Sequence, residues 1–329
     1  MKSILVTGGA GYVGSIVLRK LLSDEYSVVC VDNLTFGGES LLEIMNHPNF
    51  SFIKRDITNH DAMDSIFKSR DYFGLVHLAA IVGDPACKAQ SDLAVKINRE
   101  ASMFLMERAI KHGIQRFVFA STCSNYGKMS DQSSYVDEDS PLAPISLYAS
   151  LKVEFENTLI NQKRRERFFP TSLRFATVYG ISPRMRFDLT VNEFAKELAL
   201  GRDLTIFGEQ FWRPYCHVND FSRAISTVLE AVPSEVGYNV FNVGSTEENY
   251  TKKMILDLLT KELPESRINY AHKEEDPRDY RVNCDKIKKA LGFSISRRVP
   301  EGIREVIEVV RQGIISNPDD QRFYNIERQ

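Results

Sequence analysis

Cysteine is scarce in this 329-residue chain: there are five, Cys30, Cys87, Cys123, Cys216 and Cys284, scattered and never in a C-x-x-C pair. That excludes a disulfide-stapled framework and a thiolate metal site, and fits free thiols in a reducing cytosol. The six histidines are equally dispersed, so no metal is expected. An excess of one charge is missing too: 42 basic residues against 44 acidic ones leave a net charge of -2. A nucleic-acid partner or an anionic membrane surface would need a basic excess. Long hydrophobic runs are absent, the stretch from Phe73 to Gly83 being about half a membrane span. The opening MKSILVTGGAGYVGS breaks into glycines too soon for a signal peptide. No repeat or low-complexity segment is visible. A soluble, cytoplasmic protein is expected, long enough for about two domains.

Short apolar runs alternate with segments of helical period. Ser3–Thr7, Ser27–Val31, Ser51–Lys54, Gly74–Leu78, Arg116–Ser121 and Thr171–Ala176 read as buried strands. Tyr12–Leu22, Asp61–Ser69, Asp92–His112 and Leu147–Arg165 read as the helices between them. This alternation predicts an α/β fold: a doubly wound parallel sheet covered on both faces, over residues 1–178. Beyond Val178 the pattern loosens, with helices at Asp188–Ala199, Asp220–Ala231, Thr251–Glu262 and Pro300–Gln312. Residues 179–329 are expected to form mainly a smaller substrate-binding domain, interleaved with the first through a strand near 240–243. The polar tail from Ser316 is expected to fray or to wrap a neighbouring subunit.

Gly8, Gly11 and Gly14 follow the first strand directly and open the first helix. Such glycines permit a tight turn and close approach of backbone to a pyrophosphate, which the helix N-terminus then favours. Asp32 ends the second strand at the distance where a carboxylate binds a ribose 2′-hydroxyl and repels a 2′-phosphate, so NAD is favoured over NADP. Tyr148 and Lys152, four residues apart, share one helix face. A phenol has a reference pKa of about 10, and a neighbouring ammonium favours the phenolate a base requires. Thr122, in the Ser121–Gly127 segment after a buried strand, can hydrogen-bond both a substrate oxygen and that phenol. His77 and His217 read as structural, Asp220 as a helix N-cap, and Lys163–Arg165 as the cationic end of a helix.

Taken together, these features resemble the extended short-chain dehydrogenase/reductase family, the Rossmann-fold nucleotide-sugar epimerases and dehydratases. The resemblance runs over TGGAGYVGS, DNL at 32–34, Asp56-Ile57, HLAA at 77–80, Asn98, STCSNYG, PISLYASLK, LRFATVYG at 173–180 and RPYCHVND at 213–220. It implies an NAD site made of Gly8, Gly11, Tyr12, Val13, Gly14, Asp32, Asn33, Asp56, Ile57, Leu78, Ala79, Ala80, Asn98, Tyr148, Lys152 and Ala176. Thr122 takes the place of the family's orienting hydroxyl, Tyr148 that of its base and Lys152 that of its ribose-binding lysine. Arg213 and Arg278 take places that face a nucleotide diphosphate. Val82, Gly83 and Asp84 are expected on one pocket wall. A homodimer through helices 92–112 and 147–165 is implied as well.

Two departures matter. Sugar-nucleotide 4,6-dehydratases carry T-D-E where this chain has Thr122-Cys123-Ser124, which leaves Cys123 as an alternative acid. Thr177 stands where many hexose epimerases have asparagine. The segment 176–194 resembles a polysaccharide-pathway branch that includes GDP-heptose 4-dehydrogenases, and it would set Met185, Arg186 and Asn192 along the substrate groove. Arg184 and Arg186 could pair with diphosphate. The expected function is therefore an NAD-dependent nucleotide-sugar epimerase acting through C4 oxidation. The alternatives are a 4-dehydrogenase releasing the keto sugar, a dehydratase using Cys123, and an NAD(H)-sensing binding protein, which would have no need of the Tyr148–Lys152 pair.

Overall fold

The computed structural model describes residues 1–129, 134–271 and 278–326. In chain order the strands are β1 (Ser3–Thr7), β2 (Ser27–Asp32), β3 (Phe50–Lys54), β4 (Gly74–His77), β5 (Arg116–Thr122), β6 (Phe169–Phe175), β7 (Thr177–Tyr179), β8 (Leu204–Phe207), β9 (Trp212–His217), β10 (Asn239–Val243), β11 (Asn249–Thr251) and β12 (Ile268–Ala271). Seven of them form one parallel sheet in the order β10-β6-β5-β4-β1-β2-β3. Every residue of β1 and β4 is buried, because helices cover both faces of the sheet. One core, around Val17, Leu21, Val228 and Phe241, lies on one face; another, around Phe67, Leu105, Phe117 and Phe155, lies on the other. The doubly wound fold expected from the alternation is borne out. No helix among the described residues is long and apolar enough to cross a membrane.

The chain returns to this sheet after leaving it, since β10 pairs in parallel with β6. The second half contributes a small sheet, β11-β9-β7, a two-stranded pair, β12-β8, and a third core around Phe187, Ile255 and Ile303. Four local expectations need correcting. The helix from Leu147 ends at Asn161, where Gln162 turns extended, so Lys163–Arg165 lie beyond it and the Arg165 N–H donates to the Tyr238 hydroxyl at 2.8 Å. The segment expected as one helix over 92–112 carries a π-turn at Lys96–Ala101, a widening common at functional sites. Asp220 is not an N-cap: His217 caps that helix, while Asp220, inside its first turn, accepts from the N–H and hydroxyl of Ser296. The tail folds back on its own chain. The Tyr324 hydroxyl meets Lys196 at 2.8 Å, and the Phe187 N–H donates to the Phe323 carbonyl at 3.0 Å.

Candidate active site

The C-terminal ends of β1, β2, β4, β5 and β6 open onto a cavity of about 650 Å³ that continues into the second half of the chain. At one end lies the turn after β1. Gly8 has φ +78°, and a Cβ there would stand 2.5 Å from the Ala79 nitrogen; a Cβ on Gly14 would stand 2.1 Å from the Gly8 carbonyl oxygen. Both positions therefore require glycine. Gly11, by contrast, would give only an ordinary contact. It caps the Tyr12–Ser23 helix without a side chain, so the first-turn N–H groups remain for a ligand. The Asp32 carboxylate accepts from the Ala10 and Leu34 N–H groups at 3.0 and 2.8 Å, while burial pushes its pKa up. Asn33 donates to Asp56 at 3.0 Å beside Ile57. Leu78, Ala79, Ala80 and Ala176 complete this end of the wall. A cradle in which side chains would collide with backbone, closed by a carboxylate, fits a dinucleotide.

Asn98 lies behind that wall rather than in it. From the π-turn its amide closes on the Ile81 backbone, accepting from the N–H at 2.9 Å and donating to the carbonyl at 2.8 Å. Tyr12 contributes only through its end of the turn, because its hydroxyl is buried against the Gly180 carbonyl.

Tyr148, Lys152 and Thr122 meet in the middle of the cavity. Lys152 is buried, donates to the Ala120 carbonyl at 2.7 Å and sits 4.6 Å over the Phe119 ring; burial lowers its pKa to about 8. Its nitrogen is 5.9 Å from the centre of the Tyr148 ring. Burial raises the Tyr148 pKa, the Cys87 thiol and Asp84 raise it further, and Arg186 and a hydrogen bond with Thr122 pull it down. In the protein alone, burial outweighs these opposing effects. Cys87 is packed beside Tyr148 and bonded to the Ile81 carbonyl at 3.3 Å.

Cys123 points away. Its thiol is buried and donates to the Arg174 carbonyl at 3.2 Å, and burial drives its pKa up. A turn that aims the flanking Thr122 and Ser124 at the cavity aims Cys123 into the core.

The far end is basic. Val82, Gly83, Asp84, Thr177, Arg186, Arg213 and Arg278 all line it. Arg278 pairs with Asp84 at 3.0 Å, and Arg213 lies 5.2 Å over the Tyr280 ring. Arg186 is gripped by Asp188 through two bonds of 2.9 Å. Asn192 is not a groove residue. It is fully buried, with its amide spent on the Gly180 N–H, the Arg186 carbonyl and the Tyr12 hydroxyl. Met185 is likewise core. Sequence reading missed Asp188, Tyr280, Phe36 and the tail residues Asn325 and Ile326, all of which line the cavity. The Arg-x-Asp spacing at 186–188 and the Phe323-Tyr324 doublet in a polar tail were the available signals. Among the described residues no group of three or more His, Cys, Asp or Glu could hold a metal ion.

A parallel sheet with a dinucleotide cradle and a Tyr–Lys pair over its C-terminal edge defines a Rossmann-type, nicotinamide-dependent class of enzyme. Residues 4–244 match the NAD dependent epimerase/dehydratase family, and the chain belongs to it. A dTDP-glucose 4,6-dehydratase of Streptomyces niveus is 29% identical over 320 residues, spanning 94% of this chain and 92% of its own length. The structure of a UDP-glucose 4-epimerase from Thermotoga maritima with UDP-glucose is 29% identical, with a TM-score of 0.84 over 95% of this chain and 99% of the other. A UDP-glucuronic acid 4-epimerase from Bacillus cereus, in complex with UDP-glucuronic acid and NAD, is 25% identical with a TM-score of 0.82, covering 94% and 99%. NAD is the cofactor of the family, and the cradle fits it.

Proposed function

We propose that the protein is an NAD-dependent nucleotide-sugar epimerase that works through C4 oxidation. The observation that carries this reading is the meeting of Tyr148, Thr122 and Lys152 in one cavity, between a dinucleotide cradle and an arginine-lined end. When bound, NAD supplies a positively charged nicotinamide that takes and returns hydride at the sugar carbon. Tyr148, as the phenolate that the Lys152 and nicotinamide charges would favour, takes the proton of the sugar C4 hydroxyl and, as the phenol so formed, gives it back on return. Thr122 orients that hydroxyl through its bond to the phenol. Lys152, anchored on the Ala120 carbonyl, presents an ammonium to the ribose. Arg186, Arg213 and Arg278 bind the nucleotide diphosphate, with Val82, Gly83, Asp84 and Thr177 around the sugar. Holding these groups together in a closed site does much of the catalytic work.

The loop that brings Arg184 and Arg186 into the cavity favours a second reading, a 4-dehydrogenase of the GDP-heptose type that releases the keto sugar. Cys123, turned into the core, speaks against a dehydratase that uses it. Helices Ser91–Lys111 and Leu147–Asn161 are proposed to join two cytoplasmic copies, which light scattering tests.

Two measurements test the function. Mass spectrometry of small molecules released on denaturation should show NAD, near-stoichiometric for an epimerase that recycles it in place. Turnover on a panel of UDP-, dTDP- and GDP-sugars should fall at least about a hundredfold in Tyr148→Phe, the scale of acid–base catalysis. Unchanged turnover in that variant refutes the mechanism.

A further inference from the structure

Among the described residues, Arg184 is a buried cation with no ion-pair partner of its own. It is 7% exposed, and its Nε and Nη2 atoms have no hydrogen-bond partner among those residues. The nearby carboxylate of Asp188 is already taken by Arg186 in a two-point pair. Arg174, equally buried, is paired with Glu156 at 2.7 Å. Burial and the Arg186 charge lower the Arg184 pKa only to about 10, so the side chain keeps its charge at neutral pH. A desolvated guanidinium of this kind is costly until an anion arrives.

The surroundings indicate which anion. Arg184 comes from the second half of the chain, on the segment between β7 and the Thr190–Ala199 helix. Its guanidinium lies 4.2 Å over the ring of Phe36, which follows the Asp32 turn, and its charge acts on Tyr12, the first residue of the helix after the glycine cradle. Arg184 thus shares one cavity wall with Phe36 and the Gly8–Gly14 cradle, where the helix N-terminus already favours negative charge. A guanidinium fork matches the oxygens of a phosphate group. Arg213 and Arg278 stand apart, beside Tyr280 and Asp84.

We propose that Arg184 clamps the diphosphate of the dinucleotide, so that the cofactor is held from both halves of the chain. The inference rests on the cradle as an NAD site. It goes beyond that site by adding a residue from the substrate-binding half. Because Arg184 shares its loop with Arg186 and Asp188, the same loop then touches the cofactor and the sugar-nucleotide end together. Release of the cofactor would strand the charge again, which favours retention through turnover.

The test uses the full chain stripped of ligand, as wild type, Arg184→Gln and Arg184→Lys, with calorimetry on NAD, ADP-ribose, adenosine and UDP. Arg184→Gln should weaken NAD and ADP-ribose about ten- to a hundredfold, the range of a lost charge-assisted contact. Adenosine, which lacks the diphosphate, should bind equally to both proteins, and Arg184→Lys should recover part of the loss. The ligand-free Gln variant should melt no lower than wild type, since it sheds an unpaired buried charge. Unchanged NAD affinity overturns the assignment. Weakened UDP with NAD untouched places the arginine on the substrate side. Equal loss of adenosine and NAD, with a lower melting temperature, makes it structural. Arg184 and Phe36 also border a second cavity of about 630 Å³. Phosphate alone binding wild type but not the Gln variant, with NAD affinity equal in both, would put the anion there and refute the clamp. Wild type that binds no NAD overturns the cradle reading along with it.

Discussion

Replacing Lys152 by methionine should stabilise the ligand-free protein while abolishing its chemistry. Lys152 is 4% exposed, and burial takes its pKa from 10.5 to about 8. At about 1.36 kcal/mol per unit, keeping the ammonium charged inside costs roughly 3 kcal/mol. Methionine matches the length of the stem but forfeits the bond to the Ala120 carbonyl and the contact with Phe119. The bond from the charged donor is worth about 1.5 kcal/mol and the ring contact about 0.5 kcal/mol. A net gain of about 1 kcal/mol remains, or a few degrees in Tm for a chain of this length. The sign with pH follows from the depressed folded value. Below about pH 8 the lysine is charged in both states and its penalty is complete. Between about 8 and 10.5 the folded lysine loses its proton first, and the penalty fades. Melting of NAD-free wild type and Lys152→Met at pH 7 and at alkaline pH measures both effects. A variant less stable at neutral pH, or an advantage that does not shrink as pH rises, refutes the reasoning.

Other substitutions probe the rest of the site. Cys123→Ala should keep turnover within about threefold while costing about 1–2 kcal/mol of stability from the emptied space; a rate loss beyond tenfold would restore it as an acid. Asp32→Ala should weaken NAD binding about tenfold or more and reduce the preference over NADP, measured by titration with each dinucleotide. Asp188→Asn keeps the shape but removes the charge that grips Arg186, and should raise KM for the nucleotide sugar about tenfold with NAD affinity unchanged. Steady-state kinetics beside calorimetry separates those two effects.

The first strand is legible to the residue in Ser3–Thr7 because five consecutive small or branched residues run straight into a glycine turn. The Tyr12–Ser23 helix and the return of β10 are legible for similar reasons: periodicity carries elements buried on predictable faces. Asn98 and Asn192 show where that stops. Each is a polar residue on a helix, and sequence does not say whether its amide faces a ligand or closes over a backbone carbonyl. Both do the latter. Cys123 fails for a related reason, since one residue of rotation in the turn after β5 decides whether a side chain meets the cavity or the core. The phenol–ammonium spacing was visible, but its electrostatics depended on desolvation, which only the packing around Tyr148 reveals.

The folded-back tail turns residues 325–326 into a sensor. Asn325 and Ile326 line the cavity, and the Asn325 N–H donates to Asp188 at 3.1 Å. An environment-sensitive dye on a cysteine substituted for Ile326 therefore sits at the cavity wall, where its emission would report occupancy.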